Sequence, residues 1–296
     1  RQRQMCIRDR YYTDAAGNKV LSGEKMMIGA LVCSIGAVIC YMLCYHMTTE
    51  RVKVEQNTQK FSFKELISEI AHNKALIGII VCALLFLLAQ LSLSNMNNYI
   101  YPNYFGNVSA MSLANLAGMV VILVLSTFIV KLSAKVGKKE LSVIGSIISA
   151  AAFLILFFIH TDNVWVWIVL VLISSVGTAM FNMVIWAMIT DVIDESEVQT
   201  GVRQDGTIYS VYSFARKLGQ ACSSGLSGVL LSIIGYTTAT AFDPKVVDGI
   251  YNITCLVPAG GMILLLLALW FLYPLNKKRV EENAKILKER REAKVQ

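Results

Sequence analysis

Arg216 and Lys217 are the only charged residues in the stretch 207–234, which is apolar enough to read as a membrane span, though less so than its neighbours. A charged side chain in a bilayer span costs about 2.5–3.5 kcal/mol on insertion scales, so such a pair needs a reason. Lys217 lies about ten residues into the stretch, roughly 15 Å deep at 1.5 Å per residue and close to the midplane. Tyr209, Tyr212, Ser213, Arg216, Lys217 and Gln220 recur at helical spacing and form a polar stripe that should line water or protein, not lipid. The leading reading is a substrate or coupling-ion pathway; the alternative is a charge pair that only fastens helices together. A second stripe, Gln90, Ser94, Asn97, Asn98 and Tyr101, ends at Pro102. Amides and phenols donate and accept hydrogen bonds without fixing a charge, which suits hydroxyl-rich solutes; interhelical packing is the alternative. Asn182 and Trp186, four residues apart, share a helix face. Trp stacks on the apolar face of a sugar ring, or sits in an interfacial belt, as Trp165 and Trp167 are expected to do.

Charge concentrates again in 191–206, where Asp191, Asp194 and Glu197 recur at three-residue spacing and Arg203 and Asp205 follow Gly201. Such a set reads either as a solvated loop or as a gate whose charges pair in one conformation and separate in another. Gly219, Ser223, Ser227, Gly225 and Gly228 suit close helix packing. Cysteines and histidines carry no site: Cys40 and Cys44 share a face but no His or acid joins them, so no metal or cofactor is expected. No cluster resembles that of a membrane-embedded enzyme.

The elements that must position these residues follow from composition. Of 296 residues, 55% are hydrophobic and 16% are charged, against about 25% charged in average soluble domains. This excludes a disordered chain, a disulfide-laced module and an ordinary soluble enzyme. Seven stretches are long enough to span a bilayer as helices: 26–47, 75–98, 108–130, 141–160, 165–190, 207–234 and 253–275. Lys and Arg gather in alternate connections, among them Arg51, Lys53, Lys131, Lys138, Lys139 and Arg203, and in the tail after Leu275; the opposite connections carry only Lys245. The positive side is expected to be cytoplasmic, with the C-terminus inside. The net charge of +7 is thereby a topology signal and not a mark of nucleic-acid binding. Residues 1–10, with four arginines, sit on the side that should lack them and read as a leader foreign to the rest. An odd number of spans with an external start is expected of the C-terminal part of a longer protein.

The segment 180–236, centred on Asp191, Asp194, Glu197, Thr200-Gly201, Arg203, Asp205-Gly206, Lys217 and Gly235-Tyr236, resembles the melibiose-permease-like glycoside–pentoside–hexuronide:cation symporter family of the major facilitator superfamily. Thr49-Glu50-Arg51-Val52, Asn98 with Tyr104-Phe105-Gly106-Asn107, and Lys131–Lys139 (KLSAKVGKK, without the usual Asp) agree with it. The resemblance implies an all-α membrane protein with the major facilitator fold, twelve helices in two six-helix bundles. This chain would supply helices six to twelve. Residues 11–47 would hold the last helix of the first bundle, 48–74 the cytoplasmic middle loop with a short amphipathic helix at 61–70, 75–276 the second bundle, and 277–296 a charged cytoplasmic helix. Residues 243–252 would form an external turn.

The same resemblance places Lys217 at the family's functional lysine, near the sugar and cation sites. Tyr212 and Ser213 fall where a Gln and a Thr approach the sugar, and Asn182 falls where a Trp is usual, with Trp186 one turn on. Asp191, Asp194 and Arg203 match a cytoplasmic charged network that shuts the inner gate. The expected function is symport of a sugar with Na⁺ or H⁺ by alternating access in a bacterial inner membrane. Lys217, Tyr212, Ser213, Asn182, Trp186, Arg216, Gln90 and Asn98 would meet the solute, and Asp191, Asp194, Glu197, Arg203 and Asp205 would form the gate. The partners are the sugar or glycoside, the cation and the lipid bilayer. The family's acidic cation site lies on helix two, outside this chain. The alternatives are transport of an organic anion or amphipathic lipid, which Arg216 beside Lys217 would favour, and a non-catalytic membrane assembly fragment.

Overall fold

The structure, a computed structural model, describes residues 11–13, 19–21, 23–48, 73–203, 205–237 and 240–295. The segment 1–10, the motif 49–52, the helix expected at 61–70 and most of the middle loop lie outside the described residues. The chain forms two units, divided near residue 61. In the first, strands β1 (Tyr11–Thr13) and β2 (Lys19–Leu21) pair antiparallel, with Tyr12 opposite Val20. Helix α1 (Gly23–Met47) follows, and its apolar side chains, Leu31, Ile35 and Met42 among them, are exposed within that unit. Apart from these two three-residue strands, every described regular element is helical.

The second unit holds α2 (Lys74–Tyr99), α3 (Val108–Val136), α4 (Lys138–Ile159), α5 (Val164–Thr200), α6 (Asp205–Ile233), α7 (Pro244–Phe271) and α8 (Lys277–Val295). Asparagines set three of the starts: Asn73, Asn107 and Asn163 accept backbone N–H bonds from Leu76, Ala110 and Trp165 at 2.9–3.1 Å. These satisfy donors that a helix start leaves unpaired. Gly137 (φ 115°) and Gly201 (φ 75°) end α3 and α5 in backbone conformations that other residues adopt only at a cost.

Six helices among the described residues are long and apolar enough to cross a membrane: α1, α2 with the turn that extends it, α3, α4, α5 and α7. The seventh expected span, α6, is 29 residues long but falls below that apolarity because of its polar stripe. It packs lengthwise on α2 as a full member of the bundle. Helix α2 also lies along α7, α4 lies between α5 and α7, and α3 packs chiefly on α5.

Several boundaries differ from the sequence expectation. Pro102 does not end the second span; the backbone widens into a π turn (Ile100–Tyr104), which tolerates a residue without an N–H. The charged segment after residue 190 is not a loop, because α5 continues to Thr200, and among the described residues 201–203 are non-helical before α6 opens at Asp205. Residues 244–252 are not an external turn: Pro244 begins α7, nine residues before the expected start. Proline at a first helical position costs nothing, since that N–H has no intrahelical partner.

Close packing rests on small residues. Gly145 and Gly177 bring α4 and α5 together: a Cβ on Gly177 would stand 2.2 Å from the Gly145 carbonyl oxygen, and one on Gly145 2.6 Å from that of Gly177. Ser149 and Ser174 share a buried 2.7 Å hydrogen bond across the same contact. On α6 the expected small-residue set divides. Gly219, Ser223 and Ser227 are buried, with Gly219 against Leu84 and Leu87 of α2, while Gly225 and Gly228 face open space. Gly177→Ala should therefore force α4 and α5 apart, and overpacking of this kind costs about 1–3 kcal/mol. We expect the melting temperature in detergent to fall by several degrees, while Gly225→Ala leaves it unchanged or raises it.

Candidate functional site

The expected solute residues fall into two groups. The first lies between α5 and α6. The Arg216 guanidinium sits 4.8 Å from the Trp186 ring centre and donates from Nη1 to the Tyr212 hydroxyl at 3.2 Å. Trp186 stacks on Tyr209 at 6.0 Å and meets Tyr212 edge-on at 5.9 Å. A cation over an aromatic face gains about 0.5–1 kcal/mol where the ring is exposed, as Trp186 is, and the Tyr212 hydroxyl adds a hydrogen bond. Tyr212 is wholly buried. Lys217 points elsewhere. It and Ser213 are exposed on the bundle surface, and Lys217 makes no hydrogen bond or ion pair to any described residue. Lys217 lies about 18 Å from the start of α6 and about 24 Å from its end, near mid-helix. Arg216 and Lys217 are therefore not one charge pair but two cations on different faces.

The second group lines a cavity of about 300 Å³ between α2, α3 and α5. Gln90 and Asn182 are there, together with Ser94 and Asn97 of the α2 stripe. Asn98 is not: its Nδ2 donates to the backbone carbonyls of Ser94 (3.4 Å) and Asn95 (3.3 Å) on the outer face. The cavity adds Asn115, Ser175 and Thr178, which sequence reasoning passed over. The signal existed, since Ser175, Thr178, Asn182 and Trp186 recur at three- and four-residue spacing along one face of α5. Ser109, Ser112 and Asn115 recur at three-residue spacing at the start of α3 in the same way.

The charged residues at the other end of α5 divide by helical face. Arg203 gathers Asp194 (2.9 Å), Glu197 (2.7 Å) and Asp205 (3.0 Å). These carboxylates, Glu197 foremost through its hydrogen bond, raise the guanidinium pKa above its already high value. Asp191 does not join them. It is buried and pairs with Lys138 of α4 at 2.6 Å, and Lys138 also donates to the Ala187 carbonyl. The continuing helix turns Asp191 and Glu195 inward and Asp194 and Glu197 toward Arg203. Glu195, absent from the expected set, is buried and accepts from Gln199 and from Arg279 and Asn283 of α8. Its carboxylate raises the pKa of Arg279. Arg290 of α8 donates to the last carbonyls of α5, those of Glu197 (3.3 Å) and Val198 (3.2 Å). A cation on carbonyls that lack an intrahelical partner is favourable both as a hydrogen bond and against the helix dipole.

A bundle of helices long and apolar enough to cross a bilayer is the architecture of a multi-pass membrane protein. The family model described as "MFS/sugar transport protein" matches residues 15–277, and the chain belongs to that family, as a member of the glycoside–pentoside–hexuronide type. It is 29% identical over 259 residues to a "Glucuronide carrier protein homolog" of Escherichia coli (strain K12), covering 85% of this chain and 55% of that protein. It is 31% identical over 258 residues to an "Uncharacterized symporter YjmB" of Bacillus subtilis (strain 168), covering 87% and 56%. It is 24% identical over 280 residues to an "Isoprimeverose transporter" of Lactiplantibacillus pentosus, covering 90% and 58%. The chain thus spans little more than half the length of these relatives.

Glu195 is one of the anchors by which α8 holds to the bundle, and removing it leaves Arg279 and Asn283 without this acceptor. Because Arg279 is half-exposed, the loss is softened by water. Amide hydrogen exchange in α8 should rise about tenfold in Glu195→Ala, corresponding to roughly 1.4 kcal/mol, with exchange in α2 unchanged.

Proposed function

We propose that this chain forms the half of a sugar:cation symporter that carries the functional lysine, and that the complete protein works by alternating access in a bacterial inner membrane. The observation that carries this reading is the polar face on an otherwise lipid-compatible bundle. Ser94 and Asn98 of α2, Asn182 and Trp186 of α5, and Tyr209, Ser213 and Lys217 of α6 are all exposed. On α3, by contrast, Leu116, Val120, Leu123, Val124 and Phe128 are exposed. A bilayer tolerates the second surface and not the first, so the first faces water, solute or protein.

The roles follow from placement. Gln90 and Asn182 offer hydrogen bonds from within the bundle, while Ser213 and Asn98 flank the face. Trp186 presents an aromatic surface stiffened by Tyr209, Tyr212 and Arg216. Lys217, without a partner among the described residues, supplies positive charge where the solute and Na⁺ or H⁺ are coupled. The Arg203 cluster lies beside the short α5–α6 turn, where pairing with Asp194, Glu197 and Asp205 shuts the inner side. The Asp191–Lys138 pair is part of the bundle's fixed frame and not of the gate. The relatives named for a glucuronide and for isoprimeverose support a sugar-type solute. The excess of Lys and Arg at the α8 end supports a cytoplasmic C-terminus.

Reconstituted in proteoliposomes, the complete protein should take up sugar in response to an inward Na⁺ or H⁺ gradient. Lys217→Ala should lower uptake at least tenfold while leaving the yield of folded protein unchanged. Loss of folded protein in that variant would instead assign Lys217 to packing and overturn its role in coupling.

A further inference from the structure

The cavity between α2, α3 and α5 has a chemistry of its own. Its polar side chains, Gln90, Asn97, Asn115, Ser175, Thr178 and Asn182 chief among them, are all uncharged. Two acceptors, Gln90 Oε1 and Asn97 Oδ1, are buried with no hydrogen-bond partner. Leaving such a group unmade costs about 1–3 kcal/mol, so an occupant that donates to them is favoured. The two hydroxyls have spent their protons: Ser175 donates to the Val171 carbonyl at 2.8 Å and Thr178 to the Ser175 carbonyl at 3.1 Å. What both turn to the cavity is lone pairs. Phe86 and Tyr101 supply apolar wall, and the exposed Asn115 and Asn182 mark the mouth.

A site rich in acceptors and without a cation is matched to a solute bearing several O–H donors. It is mismatched to a carboxylate or sulfonate, which would be desolvated there without a counter-charge. The two cations of α6, Arg216 and Lys217, lie outside the cavity lining.

We propose that this cavity is a subsite for the uncharged, hydroxyl-bearing ring of the solute, with Gln90, Asn97, Ser175 and Thr178 as the residues that read its hydroxyls and keep any acidic group outside. This rests on the sugar-transport reading above and adds to it the part of the solute that α2, α3 and α5 recognise. Thr178 and Ser175 are specificity-determining through acceptance alone: replacing Thr by Val keeps the shape and removes the acceptor. A substrate lacking the matching hydroxyl leaves the same acceptor empty. The two losses should therefore not add.

The test uses the complete protein in proteoliposomes under Na⁺ and H⁺ gradients. The probes are methyl β-glucoside, its four monodeoxy analogues and methyl β-glucuronide. The wild type should discriminate against at least one monodeoxy analogue about tenfold in KM, the worth of one hydrogen bond. In Thr178→Val or Gln90→Leu that ratio should fall to near one, because the partner of the missing hydroxyl is already gone. In Asn115→Arg, uptake of methyl β-glucuronide relative to methyl β-glucoside should rise, since a cation then stands at the mouth. If the wild type takes up both parent probes and every deoxy ratio is the same in all variants, the subsite is refuted while the transport reading survives. If the wild type takes up neither parent probe under either gradient, the transport reading fails, and the subsite fails with it.

Discussion

A bilayer supplies no water to a polar side chain, so each one on a spanning helix must find a partner inside the protein or face a route that water and solute can enter. Most of this bundle obeys the first option. Ser142 and Ser146 return their protons to carbonyls four residues back on α4, at 2.8 Å in both cases. Ser149 and Ser174 satisfy one another, and the Tyr251 hydroxyl donates to the Leu156 carbonyl at 2.8 Å. Arg216 is spread over Trp186 and Tyr212. Against that background the exceptions include Lys217 and Ser213 at the surface of α6, and on α2 the unpartnered amide oxygens of Gln90 and Asn97 and the Ser92 hydroxyl. A polar face and a polar cavity result from the same rule that makes the rest of the exterior apolar.

The two ends of the bundle are built by different means. At the α8 end, ion pairs and charge-assisted hydrogen bonds prevail: Lys138 on Asp191, Arg279 on Glu195, and Lys139 on the Tyr273 carbonyl at 2.6 Å. At the opposite end the fastening is aromatic. Tyr104, His160 and Trp167 pack around Tyr251 at 4.2–5.3 Å, Tyr104 meets His160 at 6.1 Å, and the His160 imidazole meets the Asp248 carboxylate at 2.9 Å. The apolar core divides in the same way into two clusters, and the cavity lies where they meet, with Phe86 from one and Tyr101 and Ala114 from the other.

Much of this was legible in the linear chain because the bilayer imposes a one-dimensional test. Length and apolarity located the helices, and helical spacing grouped Tyr209, Tyr212 and Arg216 on α6 and Gln90, Ser94 and Asn97 on α2. Boundaries were less legible where one element ran into the next. The carboxylates from Asp191 to Glu197 read as a loop because charge suggests solvent, yet α5 simply continues past the apolar stretch. Pro102 read as a stop because a π turn leaves no signature in composition.

The sequence by itself determined which segments are long and apolar enough to cross a membrane, that they are helices, which family the chain belongs to, and that a few charges lie within such segments. These follow from local composition and period, which a single segment carries alone. Only the tertiary structure decided the partners. It separated Arg216 from Lys217, gave Asp191 to Lys138 instead of Arg203, tied Glu195 to α8, and brought Asn115, Ser175 and Thr178 to the same cavity as Gln90. Each of those pairings depends on which helix lies beside which and at what rotation. That is set by contacts such as Gly145 against Gly177, between residues far apart in the chain, and no local pattern specifies it.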